Sequence, residues 1–175
     1  MTILGISAYY HDAAAVLIRD GEIIAAAQEE RFSRKKHDDH FPIRAIHYCC
    51  DAGNLARDGL DAVVFYDKPL RKFRRILETQ FSVAPRGLRA FVTAMPLWLR
   101  QKLWVGLAIE RTLARCGVRC PDDILYTAHH EAHAASAFFP SPFERAAILT
   151  IDGVGEYATS ELARGEGNRI EYLKE

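Results

Sequence analysis

The chain has 175 residues, 49% of them hydrophobic, and its 23 basic and 23 acidic side chains balance to a formal net charge of zero. This length indicates one domain or part of a larger one, and the neutral charge argues against a nucleic-acid-binding protein, which usually has a strong positive excess. Because no apolar run approaches the roughly 20 residues of a membrane span and the start lacks a basic leader, we expect a cytoplasmic protein without membrane or nucleic-acid partners.

The first thirty residues are rich in β-forming side chains. TILGISAYY (residues 2–10) and AAAVLIRDG (residues 13–21) are typical of strands, and Asp20-Gly21 is a strong hairpin signal. EIIAAAQEE (residues 22–30) then returns as a third strand. We therefore predict a three-stranded antiparallel start to the fold.

The rest of the chain alternates helical and strand patterns after a polar loop at residues 30–42. Residues 69–118 form a basic helical insert, which we expect to break near Pro85 and Pro96 because proline disrupts helix interiors. The other predicted elements are a helix at 43–54, a strand at 61–67, a strand at 123–128, a helix at 129–139, and strands at 146–153, 157–165 and 168–175.

This order of elements predicts an α/β fold. Three strands, a helix, a strand, a helix and a strand form the ribonuclease-H-like half-module of actin-like ATPases, which normally contain two such halves. The segment AAILTIDGVGEYATSEL (residues 146–162) then begins what resembles a second half. We expect residues 1–175 to be one incomplete actin-like domain with a helical insert at about 69–118.

The stretch HHEAHAA (residues 129–135) is the first group with chemical potential. His129 and His133 are four positions apart, which places both imidazoles on one face of a helix, where their ring nitrogens can converge on one ion. His130 lies about 100° around the axis and is expected to point elsewhere. The alternative from spacing alone is a polar helix start whose histidines bond to nearby loops.

The second group is LTIDGVGE (residues 149–156), in which a strand delivers Asp152 ahead of Gly153 and Gly155. A carboxylate followed by residues without side chains suits a metal ion or a phosphate. If the chain returns beside the preceding helix, Asp152 completes a set of two imidazoles and one carboxylate, which is typical of iron(II) or another first-row metal. An ordinary Asp-Gly turn is the alternative.

The third group surrounds the first hairpin. His11 precedes Asp12 at the turn between the first two strands, where a histidine can act as a general base near a hydroxyl. The alternative, which the residues alone favour, is a turn histidine beside an aspartate that makes local turn hydrogen bonds. A basic run further on can hold an anion, although solvated loops commonly have this composition. The run comprises Arg31, Arg34, Lys35, Lys36 and His37.

Three motifs together resemble a known family. The segments HDAAAVLIRDGEIIAAAQEERFSRKKHD, HHEAHAASAFFPSPF and ILTIDGVGE, in this order along the whole chain, resemble the N-terminal region of the O-carbamoyltransferases of nodulation-factor and antibiotic biosynthesis. In that family this region is actin-like and similar to the tRNA threonylcarbamoyl transferases. A C-terminal domain makes carbamoyl adenylate from carbamoyl phosphate and ATP, and the N-terminal domain passes the carbamoyl group to a hydroxyl of a small molecule.

The resemblance implies a role for each motif residue. His129, His133 and Asp152 are expected to hold a metal ion, with Fe2+ the expected identity. His11 is implied to be the catalytic histidine, and Lys36 to contact carbamoyl adenylate. The remaining residues expected to bind substrate are Asp12, Gly153 and Gly155.

The length of the chain raises a further expectation. The region that would form carbamoyl adenylate does not lie within residues 1–175, so we expect this polypeptide alone to be inactive, as a fragment or as a partner of a missing C-terminal region. Whether it forms a homo-oligomer is left open. The rival functions are a tRNA threonylcarbamoyl transferase-like enzyme and a non-catalytic nucleotide- or metal-binding module.

Overall fold

A computed structural model of the protein describes residues 1–57, 59–153 and 155–175. The strands are β1 (Thr2–Ser7), β2 (Ala14–Arg19), β3 (Glu22–Gln28), β4 (Ala62–Phe65), β5 (Ile124–Tyr126), β6 (Arg145–Ile151), β7 (Ser160–Glu166) and β8 (Arg169–Lys174). The helices are α1 (Glu30–Ser33), α2 (Ile43–Ala52), α3 (Pro69–Val83), α4 (Leu88–Arg100), α5 (Val105–Arg115) and α6 (His129–Phe138). The chain divides into two compact units, one formed by residues 1–66 and 95–126 and the other by residues 67–94 and 127–175.

The first unit is built on a five-stranded mixed sheet with strand order β3-β2-β1-β4-β5. β1 is antiparallel to β2 and parallel to β4, and β4 is parallel to β5. The tight turn at Asp20 and Gly21, both with positive φ, joins β2 to β3 as predicted. This arrangement confirms the α/β class and the three-stranded antiparallel start of a ribonuclease-H-like half-module.

The core of this unit lies between the sheet and the helices α2 and α5. In β1 the side chains alternate between buried and half-buried, which is the period-2 pattern of a strand with one face on the core. Leu4, Leu17, Ile46, Ile109 and Leu113 are fully buried, and each contributes roughly 1.5–3 kcal/mol relative to an exposed position.

The second unit contains an antiparallel sheet of β6, β7 and β8 with α6 packed against β6. Its apolar core is small, with Phe138 of α6 packed against Ile148 of β6. At Gly165 on β7 a Cβ would come within 2.6 Å of the Phe138 ring, so glycine permits this close approach. This sheet is antiparallel throughout, and it contains the strand, turn and strand that the sequence predicted for residues 146–162.

Two local predictions were wrong. A break was expected near Pro96, but α4 runs through it from Leu88 to Arg100. Proline has no backbone N–H, so Pro96 cannot donate a hydrogen bond to the carbonyl of Val92. Because both residues are exposed, water can donate to that carbonyl instead. The polar segment 30–42 was expected to be loop throughout, but its first residues form the single turn α1.

The helices α3, α4 and α5 occupy most of residues 69–118, the range that the sequence predicted to be helical. α3 ends at Val83, just before the cis peptide bond between Ala84 and Pro85, which agrees with the predicted break there. In the part of the chain that the structure describes, no helix combines the length and the apolar character needed to cross a membrane.

Candidate functional site

α6 brings two imidazoles together at its N-terminal end. His129 and His133 are one turn apart, and their Nε2 atoms lie 3.2 Å from each other. The helix forms here because alanines fill four of the ten positions of HHEAHAASAF, and alanine has the highest helix propensity. His129 is buried and His133 is exposed, so the pair lies at the boundary between the protein interior and the surface.

The carboxylate of Asp152 joins this pair from the end of β6. Its Oδ2 lies 2.5 Å from Nε2 of His129 and 3.5 Å from Nε2 of His133. The structure therefore brings together the three residues that the sequence predicted as metal ligands, with one donor atom from each within 4.8 Å of the others. His130 points away from them, also as predicted, and donates or accepts hydrogen bonds elsewhere.

The chemistry of this donor set fits a first-row metal ion. Ligands about 2.1 Å from an ion lie about 3.0–3.4 Å apart when the angle between them is 90–109°. The distance between the two Nε2 atoms, 3.2 Å, falls in this range, and the contacts to Asp152 at 2.5 and 3.5 Å bracket it. Two imidazole nitrogens and one carboxylate oxygen with an exposed side toward solvent form the donor combination that suits iron(II) and similar ions.

The electrostatics of Asp152 favour its ionised form. The hydrogen bond with His129 lowers the pKa of this carboxyl to about 2, with a further contribution from the backbone N–H of Gly153, which donates to Oδ1 at 2.6 Å. A carboxylate must be deprotonated to bind a metal ion, so the lowered pKa keeps Asp152 ready as a ligand across the physiological range.

His130 has a structural role next to the set. It is 1% exposed, and its Nδ1 bonds to the hydroxyl of Thr150 at 2.8 Å while its Nε2 donates to the carbonyl of Ala158 at 3.0 Å. Both partners lie on or after β6, so this imidazole ties the helix to the connection between β6 and β7. A buried imidazole with both nitrogens bonded is held in one orientation.

Two buried carboxylates beside the site were not predicted from the sequence. Glu156 is 6% exposed and accepts the backbone N–H of His129 with both of its oxygens, at 3.0 and 3.1 Å. Asp67 is equally buried and forms an ion pair with Lys72, at 2.6 Å. Glu156 lies 27 positions from His129, so no short sequence spacing indicates their contact. Two signals for it were present in the sequence: Glu156 follows a predicted strand, and Ala128 has no side-chain oxygen to cap the helix.

The pKa values of this carboxylate pair move in opposite directions. Burial raises the pKa of Asp67, although the Lys72 ammonium opposes this. Burial also raises the pKa of Glu156, but hydrogen bonds from backbone N–H groups, with His129 first among them, outweigh it and leave the pKa lowered. The lowered pKa favours the ionised form of Glu156, whose charge lies at the N-terminus of α6, where the helix dipole also favours a negative charge.

Both glycines predicted to bind substrate have their N–H groups engaged. The N–H of Gly153 donates to Asp152, and the N–H of Gly155 donates to the carbonyl of Ala158 at 2.9 Å. A Cβ at Gly155 would lie 2.9 Å from Cδ2 of His130, so this glycine lets the connection approach the helix. A Cβ at Gly153 would meet no atom within 4 Å, which leaves open space beside Asp152.

The predicted catalytic histidine lies on the first unit, in the turn between β1 and β2. His11 is exposed, and its Nδ1 bonds to Oδ2 of Asp12 at 2.7 Å. The second oxygen of Asp12 bonds to Nδ1 of His37 at 3.0 Å. Asp12 and His37 both have positive φ, a conformation that costs about 1 kcal/mol or more for residues other than glycine, so the fold holds this contact at some expense.

Asp12 also belongs to a second cluster of possible metal ligands. Asp12, Glu30 and His37 offer donor atoms within 4.8 Å of one another. Each carboxylate already accepts hydrogen bonds, because Oε2 of Glu30 accepts the backbone N–H of His37 at 3.0 Å and its other oxygen pairs with Arg31. The imidazoles lower the pKa of Asp12 through these hydrogen bonds, with His37 the larger contributor.

The basic run is partly neutralised by its own neighbours. Lys35 pairs with Asp39 at 3.1 Å and lies 3.8 Å from Asp38. Lys36 is exposed, and in the described residues it forms no ion pair within 4 Å. Of the two lysines in this run, only Lys35 has an ion pair among the described residues, and the contact of Lys36 with substrate stays a prediction.

Comparison with known proteins gives consistent results along the whole chain. A family model described as Carbamoyltransferase N-terminus matches residues 2–173. An uncharacterised Synechocystis protein, sll1178, is 52% identical over 171 residues, which are 96% of this chain and 28% of that protein. The nodulation protein NolNO of Sinorhizobium fredii is 35% identical over 166 residues, 94% of this chain and 23% of that protein.

The chain thus spans about a quarter of the length of these relatives. Among solved structures, YeaZ from Pseudomonas aeruginosa is similar with a TM-score of 0.48 and 13% sequence identity, over 99% of this chain and 64% of that one.

Proposed function

The chain belongs to the carbamoyltransferase N-terminal family, and from this premise we propose that it performs the transfer step of an O-carbamoylation. The hydroxyl of a small molecule attacks the carbonyl carbon of carbamoyl adenylate. The new C–O bond forms as the bond from that carbon to the phosphate oxygen breaks, AMP leaves, and the hydroxyl proton passes to a base. Carbamoyl phosphate and ATP are the proposed source of the adenylate, through a region outside these 175 residues.

One observation supports this proposal above the others. His129, His133 and Asp152 place two imidazole nitrogens and a carboxylate oxygen between 2.5 and 3.5 Å from one another, with Asp152 ionised. We propose that these residues hold the metal ion, which we expect to be Fe2+. When bound, the ion would supply a positive centre that polarises the carbonyl group or the phosphate of the adenylate.

His11 is the proposed base. Because its Nδ1 bonds to Asp12, its Nε2 is the nitrogen that can receive a proton from the acceptor hydroxyl. Asp12 holds the ring in this orientation and stabilises the imidazolium that forms, as a carboxylate does in hydrolase triads. The exposed position of His11, with 61% of the side chain accessible, allows a substrate to reach it.

The remaining predicted residues bind the adenylate in this proposal. The ammonium group of Lys36 contacts the anionic phosphate. The space beside Gly153, where a side chain would meet nothing within 4 Å, admits substrate atoms close to Asp152. Gly155 contributes to substrate binding indirectly, because its missing side chain allows the connection between β6 and β7 to lie against His130.

A transfer assay tests the proposal. A protein that contains this chain together with the adenylate-forming region is incubated with carbamoyl phosphate, ATP and a panel of alcohols that includes sugars, aminoglycosides and β-lactam precursors. We expect a carbamoylated alcohol and AMP, no product from His11→Ala, and normal product from His47→Gln as a control. Modification of tRNA instead of the alcohols would favour a threonylcarbamoyl transferase, and metal binding without any product would favour a non-catalytic module.

A further inference from the structure

Glu156 is a buried carboxylate that the proposed reaction does not use. Its two oxygens accept the backbone N–H of His129, and Oε1 also accepts the backbone N–H of Lys68 at 3.3 Å. At 6% exposure this side chain has exchanged water for backbone partners. A buried carboxylate is retained only when such hydrogen bonds compensate for its desolvation, so its partners indicate what it does.

The contact with His129 fixes the start of α6. The first N–H groups of a helix have no partner within the helix, and Ala128 at the N-cap has no side-chain oxygen to supply one. Glu131 accepts the N–H of Ala128 at 3.0 Å, and Glu156 accepts the N–H of His129. Of these two glutamates, only Glu156 reaches the helix from another element of the fold.

Glu156 and Asp152 belong to the same short connection between β6 and β7. Asp152, the first residue of this connection, provides a carboxylate that contacts the imidazole of His129, and Glu156, four positions later, provides a carboxylate that binds the backbone of the same residue. The connection is tied to α6 a third time through the bond from His130 to Ala158. The distance between the donor atoms of Asp152 and His129 therefore depends on how the connection is attached to the first turn of the helix.

We propose that Glu156 is a positioning residue of the metal centre, which sets the separation of the His129 and Asp152 donor atoms by holding the helix start to the β6–β7 connection. This inference rests on the ligand set of the proposed function. Groups that orient metal ligands without touching the ion commonly change metal affinity by about 10- to 100-fold when they are removed.

The test uses Co2+ as the probe with the 175-residue chain. Glu156→Gln keeps the size of the side chain but removes the charge and one acceptor oxygen, and we expect Co2+ to bind about 10- to 100-fold more weakly. We also expect an altered visible absorption spectrum of the bound Co2+, since the spectrum reports ligand geometry. Glu131→Gln is the matched control, because it weakens a cap of the same helix without releasing the connection, and its Co2+ affinity should stay within about threefold of wild type.

The outcomes separate this inference from the function on which it rests. If the wild-type chain binds no Co2+, the proposed ligand set fails and the role of Glu156 fails with it. If the wild type binds Co2+ and Glu156→Gln has the same affinity and spectrum, the ligand set stands and the inference alone is overturned. Equal weakening by Glu156→Gln and Glu131→Gln would show that only the stability of the helix matters, and would overturn it as well.

Discussion

The carboxylate of Asp152 lies 2.5 Å from the imidazole of His129, measured from Oδ2 to Nε2, although 23 positions separate the two residues in the chain. The contact exists because β6 ends beside the first turn of α6, and because glycine at position 155 lets the next connection lie against the helix. His133, one turn further along, approaches the same oxygen to 3.5 Å. A strand end and a helix start thus converge on one small volume lined by three potential ligands.

Removal of either imidazole of this set should abolish tight metal binding. We expect His129→Ala and His133→Ala each to weaken Fe2+ or Co2+ binding by more than about 100-fold, since loss of a direct ligand exceeds the effect of losing a supporting residue. Anaerobic titration and metal analysis of the purified protein measure this. His47→Gln is the control, because among the described residues His47 belongs to none of the clusters of potential ligands. Wild-type affinity in both alanine variants would contradict the assignment.

His130, which is next to the ligand set, should affect the stability of the fold. His130 is fully buried with both nitrogens bonded, so His130→Ala leaves the Thr150 hydroxyl and the Ala158 carbonyl without these partners and creates a cavity. We expect a loss of about 2–4 kcal/mol in the free energy of unfolding. His133 is exposed, so we expect His133→Ala to lower the free energy of unfolding by less than about 1 kcal/mol.

Urea unfolding of the metal-free protein measures both values. A larger loss for His133→Ala than for His130→Ala would show that the two histidines do not divide ligand and structural roles in this way.

Much of this site was predictable because it follows local rules. The four-residue spacing of His129 and His133 sets their common face on any helix, and the hairpin signal at Asp20-Gly21 predicts the pairing of β2 with β3. The wrong break at Pro96 shows the limit of such rules, since an exposed helix can accommodate a proline when water satisfies the carbonyl that loses its donor. Glu156 was missed because its contact with the helix is created only by tertiary packing.

Asp12 is the subject of the next prediction. Its carboxylate bonds to Nδ1 of His11, so Asp12→Asn should leave the fold intact but favour the wrong tautomer or orientation of the proposed base. We expect the kcat of carbamoyl transfer to fall by about 100-fold or more, with a smaller change in KM. Kinetics in a protein that also contains the adenylate-forming region measure this.

Asp39→Asn is the matched control, because Asp39 is exposed and pairs with Lys35 in the loop that follows α1. An Asp12→Asn variant with the kcat of wild type would show that His11 needs no carboxylate, or that it is not the base.

The last prediction concerns the pH dependence of stability in the metal-free protein. The hydrogen bond with His129 lowers the pKa of Asp152 to about 2 from its usual 3.8, so the folded state binds a proton here less readily than the unfolded state. A lowered pKa contributes stability that is present above the unfolded value and is lost as the pH falls toward the folded value. Asp152→Asn removes this titration, and we expect it to be about 1–2 kcal/mol less stable than wild type at pH 6, after allowance for solvent screening. Urea unfolding in the presence of a chelator should show the difference narrow as the pH falls from 4 toward 2. A difference that stays constant over this range would mean that the bond between Asp152 and His129 does not form in the absence of metal.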